Sequence, residues 1–106
     1  MTDHTLLPDG EPDLRDLDVT TVLAALADPG RLSAVRGLAE VGEAACGQLQ
    51  GLTGTDWSKS TLSHHLRVLR EAGITHTRVA GTRRFVSLRR DDLEAAFPGL
   101  LRAVLT

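Results

Sequence analysis

Apolar residues recur along this chain at helical spacing almost throughout, and give way to β-branched strand character only between residues 74 and 88. Leu14, Leu17, Val22 and Leu26, with the tract A-A-L-A, predict a first helix from Leu14 to Ala27 that closes at Asp28. Asp28-Pro29 restarts the chain, since Asp caps helix N-termini well and Pro suits the first helical position. A second helix is expected from Pro29 to about Val41, with a stripe of Leu32, Val35, Leu38 and Ala39. Arg31 and Arg36 fall off that stripe. They can approach a phosphate or pair with acids of the first helix, and surface pairing is the commoner outcome. Glycines at 42, 47, 51 and 54 leave room only for a short helix around Ala44 to Leu52, which holds Cys46 and Leu49. Trp57 then stands at the entry of the next helix, where a large ring can anchor the turn in the core.

That next helix, Ser58 to Gly73, reads S-K-S-T-L-S-H-H-L-R-V-L-R-E-A-G. Leu62, Leu66 and Leu69, extended by His65 and Ala72, make one face apolar and core-bound. Ser58 or Ser60 can cap its start, and Gly73 can stop it. Its exposed front carries Ser58, Lys59, Ser60, Thr61, Ser63 and His64, with Arg67 a turn later. Short donors and acceptors at an amide-rich helix tip suit phosphates and base edges. A serine-capped surface helix would share this composition, so the surrounding chain must decide. Beyond Gly73, Ile74 to Ala80 and Arg83 to Leu88 flank Gly81-Thr82 and predict a two-stranded hairpin. Arg78, Thr82, Arg83 and Arg84 make its tip the densest basic cluster of the chain. Asp91 to Leu105 closes the sequence with Leu93, Phe97, Leu100, Leu101, Val104 and Leu105 around Pro98-Gly99. So broad a terminal apolar face either packs on its own domain or, as favoured here, joins a second subunit.

Charge sharpens this picture. The 106 residues carry a net charge of −2, but residues 1–56 hold −7, residues 57–90 hold +7 and residues 91–106 hold −2. The basic block coincides with the polar-tipped helix and the hairpin, which is the electrostatic footprint expected of a nucleic-acid surface. Trp57, Phe85 and Phe97 are the only aromatic residues, too few for a platform that stacks single-stranded bases. The length allows one domain with little to spare for an enzymatic cleft. Ser, His and Asp are present, yet the Ser-His pairs lie on a short exposed helix without an evident oxyanion site, so no enzyme is expected. Residues 1–13, with four acids, Pro8, Gly10 and Pro12, are expected to form a loose tail, and residues 14–106 the folded domain. No apolar run suits a membrane span or a signal peptide, and the lone Cys46 forms no internal disulfide. A cytoplasmic protein is expected.

The order of helices, the phrase A-L-A-D-P-G-R-L at residues 25–32 and the Ser58 to Gly73 segment resemble the ArsR/SmtB family of bacterial winged-helix repressors over about residues 17–105. The resemblance implies a mainly α fold with a small β-hairpin (α+β), a winged helix-turn-helix dimerising through its first and last helices. It implies a homodimer on an imperfect palindrome of double-stranded DNA, released by a ligand or modification whose identity the sequence does not give. Lys59, Ser60, Ser63 and His64 match the family's DNA-contacting positions, and the hairpin matches its wing. The metal-sensing members differ. Their Cys-x-Cys pair is reduced here to Cys46, and residues 91–106 contain no His. A lone Cys does not make a zinc site, so no metal or other cofactor is expected, with Cys46 as the residual candidate for a metal- or thiol-responsive switch. A winged helix turned to protein interaction is the other alternative, although its polar tip lacks the large apolar anchor that interfaces favour.

Overall fold

A computed structural model describes residues 10–54 and 56–105. Its elements are α1 (Val19–Leu26), α2 (Pro29–Val41), β1 (Glu43–Ala45), α3 (Leu49–Thr53), α4 (Lys59–Glu71), β2 (Thr75–Ala80), β3 (Arg83–Leu88), α5 (Arg90–Ala96) and α6 (Leu100–Leu105). Single 3-10 turns lie at Leu14–Asp16 and Cys46–Gln48. The architecture is a winged helix, mostly helical with a small antiparallel sheet.

The first helix expected from Leu14 to Ala27 is shorter than its apolar pattern. The 3-10 turn ends before Leu17, and Asp18 caps a fresh helix by accepting from the Thr21 amide at 2.9 Å. A carboxylate that can bond amide donors starts a helix more readily than it continues one. Asp28 plays the same part for α2, accepting from the Arg31 amide at 2.9 Å, and this bond is the largest cause holding its carboxyl below the usual range. Pro29 follows in the first turn, as expected. In α2 the fully buried residues are Ala34, Val35 and Leu38, while Leu32 is only partly covered.

The short helix expected from Ala44 to Leu52 is corrected. Glu43–Ala45 forms a strand, because Ala44 and Ala45 lie opposite Val86 and Phe85 of β3. The hairpin is therefore part of a three-stranded sheet of order β1-β3-β2. Ala80 faces Arg83 across Gly81-Thr82, and Thr77 faces Val86.

Two clusters of buried residues make the core. Val22, Ala25, Leu26, Ala34, Val35, Leu69, Ala72, Ile74, Leu93 and Leu101 form one, and Leu38, Ala44, Leu49, Leu62, Leu66 and Val86 the other. Helix α4 spans both, its early turns on the sheet-side cluster and its last turns on the cluster beneath α1, α5 and α6. Gly73 ends it in a left-handed conformation, φ +85°, with its amide donating to the Arg70 carbonyl and the Ile74 amide to that of Leu69. That pair of bonds is a Schellman stop. A Cβ on Gly73 would also overlap Leu17.

The loose tail assigned to residues 1–13 must be shortened from its inner end; residues 1–9 lie outside the described residues. Glu11 is 2 % exposed and accepts from His76 Nδ1 at 2.9 Å and from the Thr77 amide at 3.1 Å. The Pro12 carbonyl accepts from Arg89 Nη1 at 2.7 Å, and Arg89 in turn pairs with Asp92 at 3.0 Å. These long-range bonds seat the segment on β2 and α5. The terminal apolar stretch is two helices, broken at Phe97–Gly99, and α6 is tied to α2 where Arg36 Nε donates to the Val104 carbonyl at 3.1 Å. Arg36 pairs there instead of with acids of the first helix expected from Leu14 to Ala27.

Candidate nucleic-acid interface

Helix α4 presents a continuous polar face because its apolar residues are fully engaged on the other side. Leu62, Leu66 and Leu69 are buried, whereas Lys59, Ser60, Ser63, His64 and Arg67 are exposed on one face. Ser58 resolves the choice of cap. Its Oγ accepts from the Thr61 amide at 3.2 Å, donates to Thr61 Oγ1 at 2.9 Å and lies 3.2 Å from Ser60 Oγ. Ser58 and the partly buried Thr61 thus order the helix tip, and Ser60 is drawn into the same hydroxyl cluster. Ser63, His64, Lys59 and Arg67 remain directed outward.

The helix is held at its entry by a stack. The Trp57 ring lies on the imidazole of His65 with centroids 4.3 Å apart and planes inclined by 29°. Trp57 anchors the turn as expected, and it does so closely enough that a Cβ on Gly30 of α2 would overlap its ring. His65 is only half-buried, contrary to its assignment to the core stripe. Arg31 bridges it to α1: its Nε donates to the Ala25 carbonyl at 2.7 Å and its Nη1 lies 2.9 Å from His65 Nδ1. Burial is the largest influence on His65 and lowers its pKa below 6.5; Asp28 opposes this, and Arg31 and His64 add to it. Arg31 therefore braces α4 from behind and is not on its exposed polar face.

The wing distributes its arginines over two faces. Arg78 stands across from Phe85 in mid-strand, away from the tip. It is bound to Glu43 through two hydrogen bonds of 2.8 and 3.1 Å, and its guanidinium lies 4.5 Å from the Phe85 centroid. The Glu43 pairing holds Arg78 above its ordinary pKa and the carboxyl of Glu43 below its own. Thr82, Arg83 and Arg84 occupy the exposed tip. Arg83 also leans over Phe85, 5.0 Å from its centroid, while Arg84 alternates to the inner face and lines the groove between β3 and α4. Of the predicted basic tip, the structure brings together Thr82, Arg83 and Arg84 and separates Arg78.

Cys46 sits under the wing tip. Burial pushes its thiol up, the positive charges of Arg84 and Arg70 only partly offset this, and the thiol stays protonated at neutral pH. It lacks the lowered pKa that marks redox-responsive cysteines. Among the described residues, no three His, Cys, Asp or Glu side chains are grouped to hold a metal ion. No helix among them is long and apolar enough to cross a membrane. Arg70, partly buried on α4 beside the same groove, was not singled out from the sequence. A basic residue in the last turn of a helix is common, so nothing in the sequence marked it.

Comparison with known proteins matches this geometry. A family model described as a helix-turn-helix domain aligns with residues 26–78, covering α2 through most of β2. The chain is 37% identical over 84 residues to the uncharacterized HTH-type transcriptional regulator YceK of Bacillus subtilis (strain 168), covering 78% of this chain and 82% of that protein. Among solved structures, the transcriptional repressor BigR from Xylella fastidiosa superimposes with a TM-score of 0.63 at 32% identity, over 83% of this chain and 86% of BigR. An ArsR family transcriptional regulator with 22% identity shares the fold at a TM-score of 0.66, over 80% and 90% of the two chains.

Proposed function

Because the chain belongs to the helix-turn-helix transcriptional regulators and has the winged-helix fold of the ArsR family, we propose that it is a sequence-specific repressor acting as a homodimer on double-stranded DNA. The carrying observation is the face of Lys59, Ser60, Ser63, His64 and Arg67, exposed along a helix whose opposite face is fastened to both halves of the core. A helix so presented fits a major groove. Hydroxyls and imidazole meet base edges, and the wing arginines meet the flanking backbone. Arg83 and Arg84 serve the latter role in this reading, and Thr82 lies between the strands at the same tip.

Two copies are joined through α1 and α6. Val19 and Leu23 are 42 % and 48 % exposed on α1, and Leu100, Val104 and Leu105 of α6 are half-covered within one chain. Such a pairing places two recognition helices about 34 Å apart, one turn of duplex, so the operator is an imperfect palindrome. The protein acts in the cytoplasm, and a signal that weakens DNA binding relieves repression. Burial raises the pKa of the Cys46 thiol and so gives no support to a thiol-borne signal, and no observation favours a protein partner over DNA for the polar helix tip.

Repeated selection from a pool of randomised duplexes tests the proposal. Enrichment of a palindromic site with half-sites one helical turn apart is expected. Recovery of sequences with no shared half-site would overturn it.

A further inference from the structure

The groove between α4 and the wing has about 340 Å³ of volume and is lined by Leu62, Ser63, Leu66, Arg67, Arg70 and Arg84, with Cys46, Thr77 and Val86 at its floor. Its charge is unbalanced. Three arginines line it, and among the described residues no carboxylate does. Arg70 is the unusual member, for its Nε is buried without a hydrogen-bond partner. A buried donor left unpaired is costly, and more so when it belongs to a cation. Arg78 shows the contrast within the same sheet, since its charge is answered by Glu43.

We infer that this groove is a seat for a tetrahedral phosphate oxyanion, supplied by the DNA backbone, in which Arg70 from α4 and Arg84 from β3 close on the phosphate from opposite sides while Arg67 contacts it at the rim. The inference rests on the duplex-binding reading above and adds Arg70 to it. Planar guanidinium forks match phosphate oxygens in pairs. When α4 enters a major groove, the adjoining strand passes between that helix and the wing, which brings a phosphate to this opening. The floor is compatible with an anion, because the Cys46 thiol there is held neutral by burial.

The test is a salt series of binding titrations on a short mixed-sequence duplex, for which no operator is required. Arg70→Gln is expected to reduce the slope of log affinity against log salt by about 0.9, as the removal of one phosphate partner does, equally for every sequence. Arg70→Lys, which keeps the charge, is expected to keep the slope, and Arg78→Gln, already neutralised by Glu43, to leave it unchanged. A wild-type slope in a folded Arg70→Gln protein that still binds duplex would overturn the seat. Should Arg70→Gln fail to fold, the exposed Arg84→Gln takes its place with the same expected and overturning results. A wild type that binds no duplex defeats the function proposed above instead. The seat then stands only if inorganic phosphate raises the thermal midpoint of the wild type and not of Arg84→Gln, which would assign it to a free oxyanion. Absence of that stabilisation ends it.

Discussion

His65 can accept from the Arg31 guanidinium only as the neutral ring with its proton on Nε2, because Nδ1 must offer its lone pair. Protonation at Nδ1 would set two donors against each other across 2.9 Å and release the bridge from α1 to α4. Burial, with Arg31 and His64, depresses the pKa of this base below 6.5 in the folded chain, against the opposing pull of Asp28. Between the depressed value and 6.5 the unfolded chain binds the proton and the folded chain does not. The stabilisation is therefore complete above pH 6.5 and is lost as the pH falls through that window. The thermal midpoint of the wild type is expected to drop on mild acidification, and that of His65→Gln to drop less. Equal drops in the two proteins would assign the acid sensitivity to other groups.

Helix α4 depends on Ser58 for its first turn, and this cap separates stability from binding. Ser58→Ala is expected to cost about 1 kcal/mol in denaturant unfolding. Ser58→Asp should keep the cap and suit the helix dipole, yet place a negative charge where phosphate is expected, so duplex affinity falls while stability holds. Parallel losses of stability and affinity in Ser58→Asp would contradict a DNA-facing tip. The elements that could be read from the sequence are those whose causes are local. Asp28-Pro29 starts α2 and Ser58 starts α4 within three residues of the bonds they make, and Leu62, Leu66 and Leu69 repeat within one helix. Strand β1 had no such signal. E-A-A has no periodicity and becomes a strand only through Val86 and Phe85, about forty residues away. Glu11 was hidden for the same reason, its partners His76 and Thr77 lying 65 and 66 residues distant. The division of the wing arginines likewise depends on strand register, which basic composition does not encode. Asp18 was a local signal within reach, and the continuous apolar pattern from Leu14 to Ala27 concealed it.

At the scale of the whole molecule, the fold gathers the basic middle of the sequence onto α4 and the wing while the acidic first half supplies much of the support behind them. Glu43, Asp28 and Glu11 each hold a partner in place: Arg78, the start of α2, and the end of the sheet. In the proposed homodimer, the exposed Val19 and Leu23 of α1 face the second copy. Leu23→Glu is expected to convert a dimer to a monomer in analytical ultracentrifugation and to lower affinity for a two-half-site duplex far more than for a single half-site. A monomeric wild type would contradict that assignment. In the proposed function, discrimination among base sequences belongs to the outward face of α4. Its most direct test is the ratio of affinities for the selected duplex and a scrambled one, measured for the wild type and for a variant carrying Ser63→Ala and His64→Ala. The ratio is expected to fall by about tenfold or more for each good hydrogen bond to a base that the variant can no longer make, with scrambled-duplex affinity and salt slope nearly unchanged. A variant that keeps the wild-type ratio would show that α4 only positions the protein on DNA.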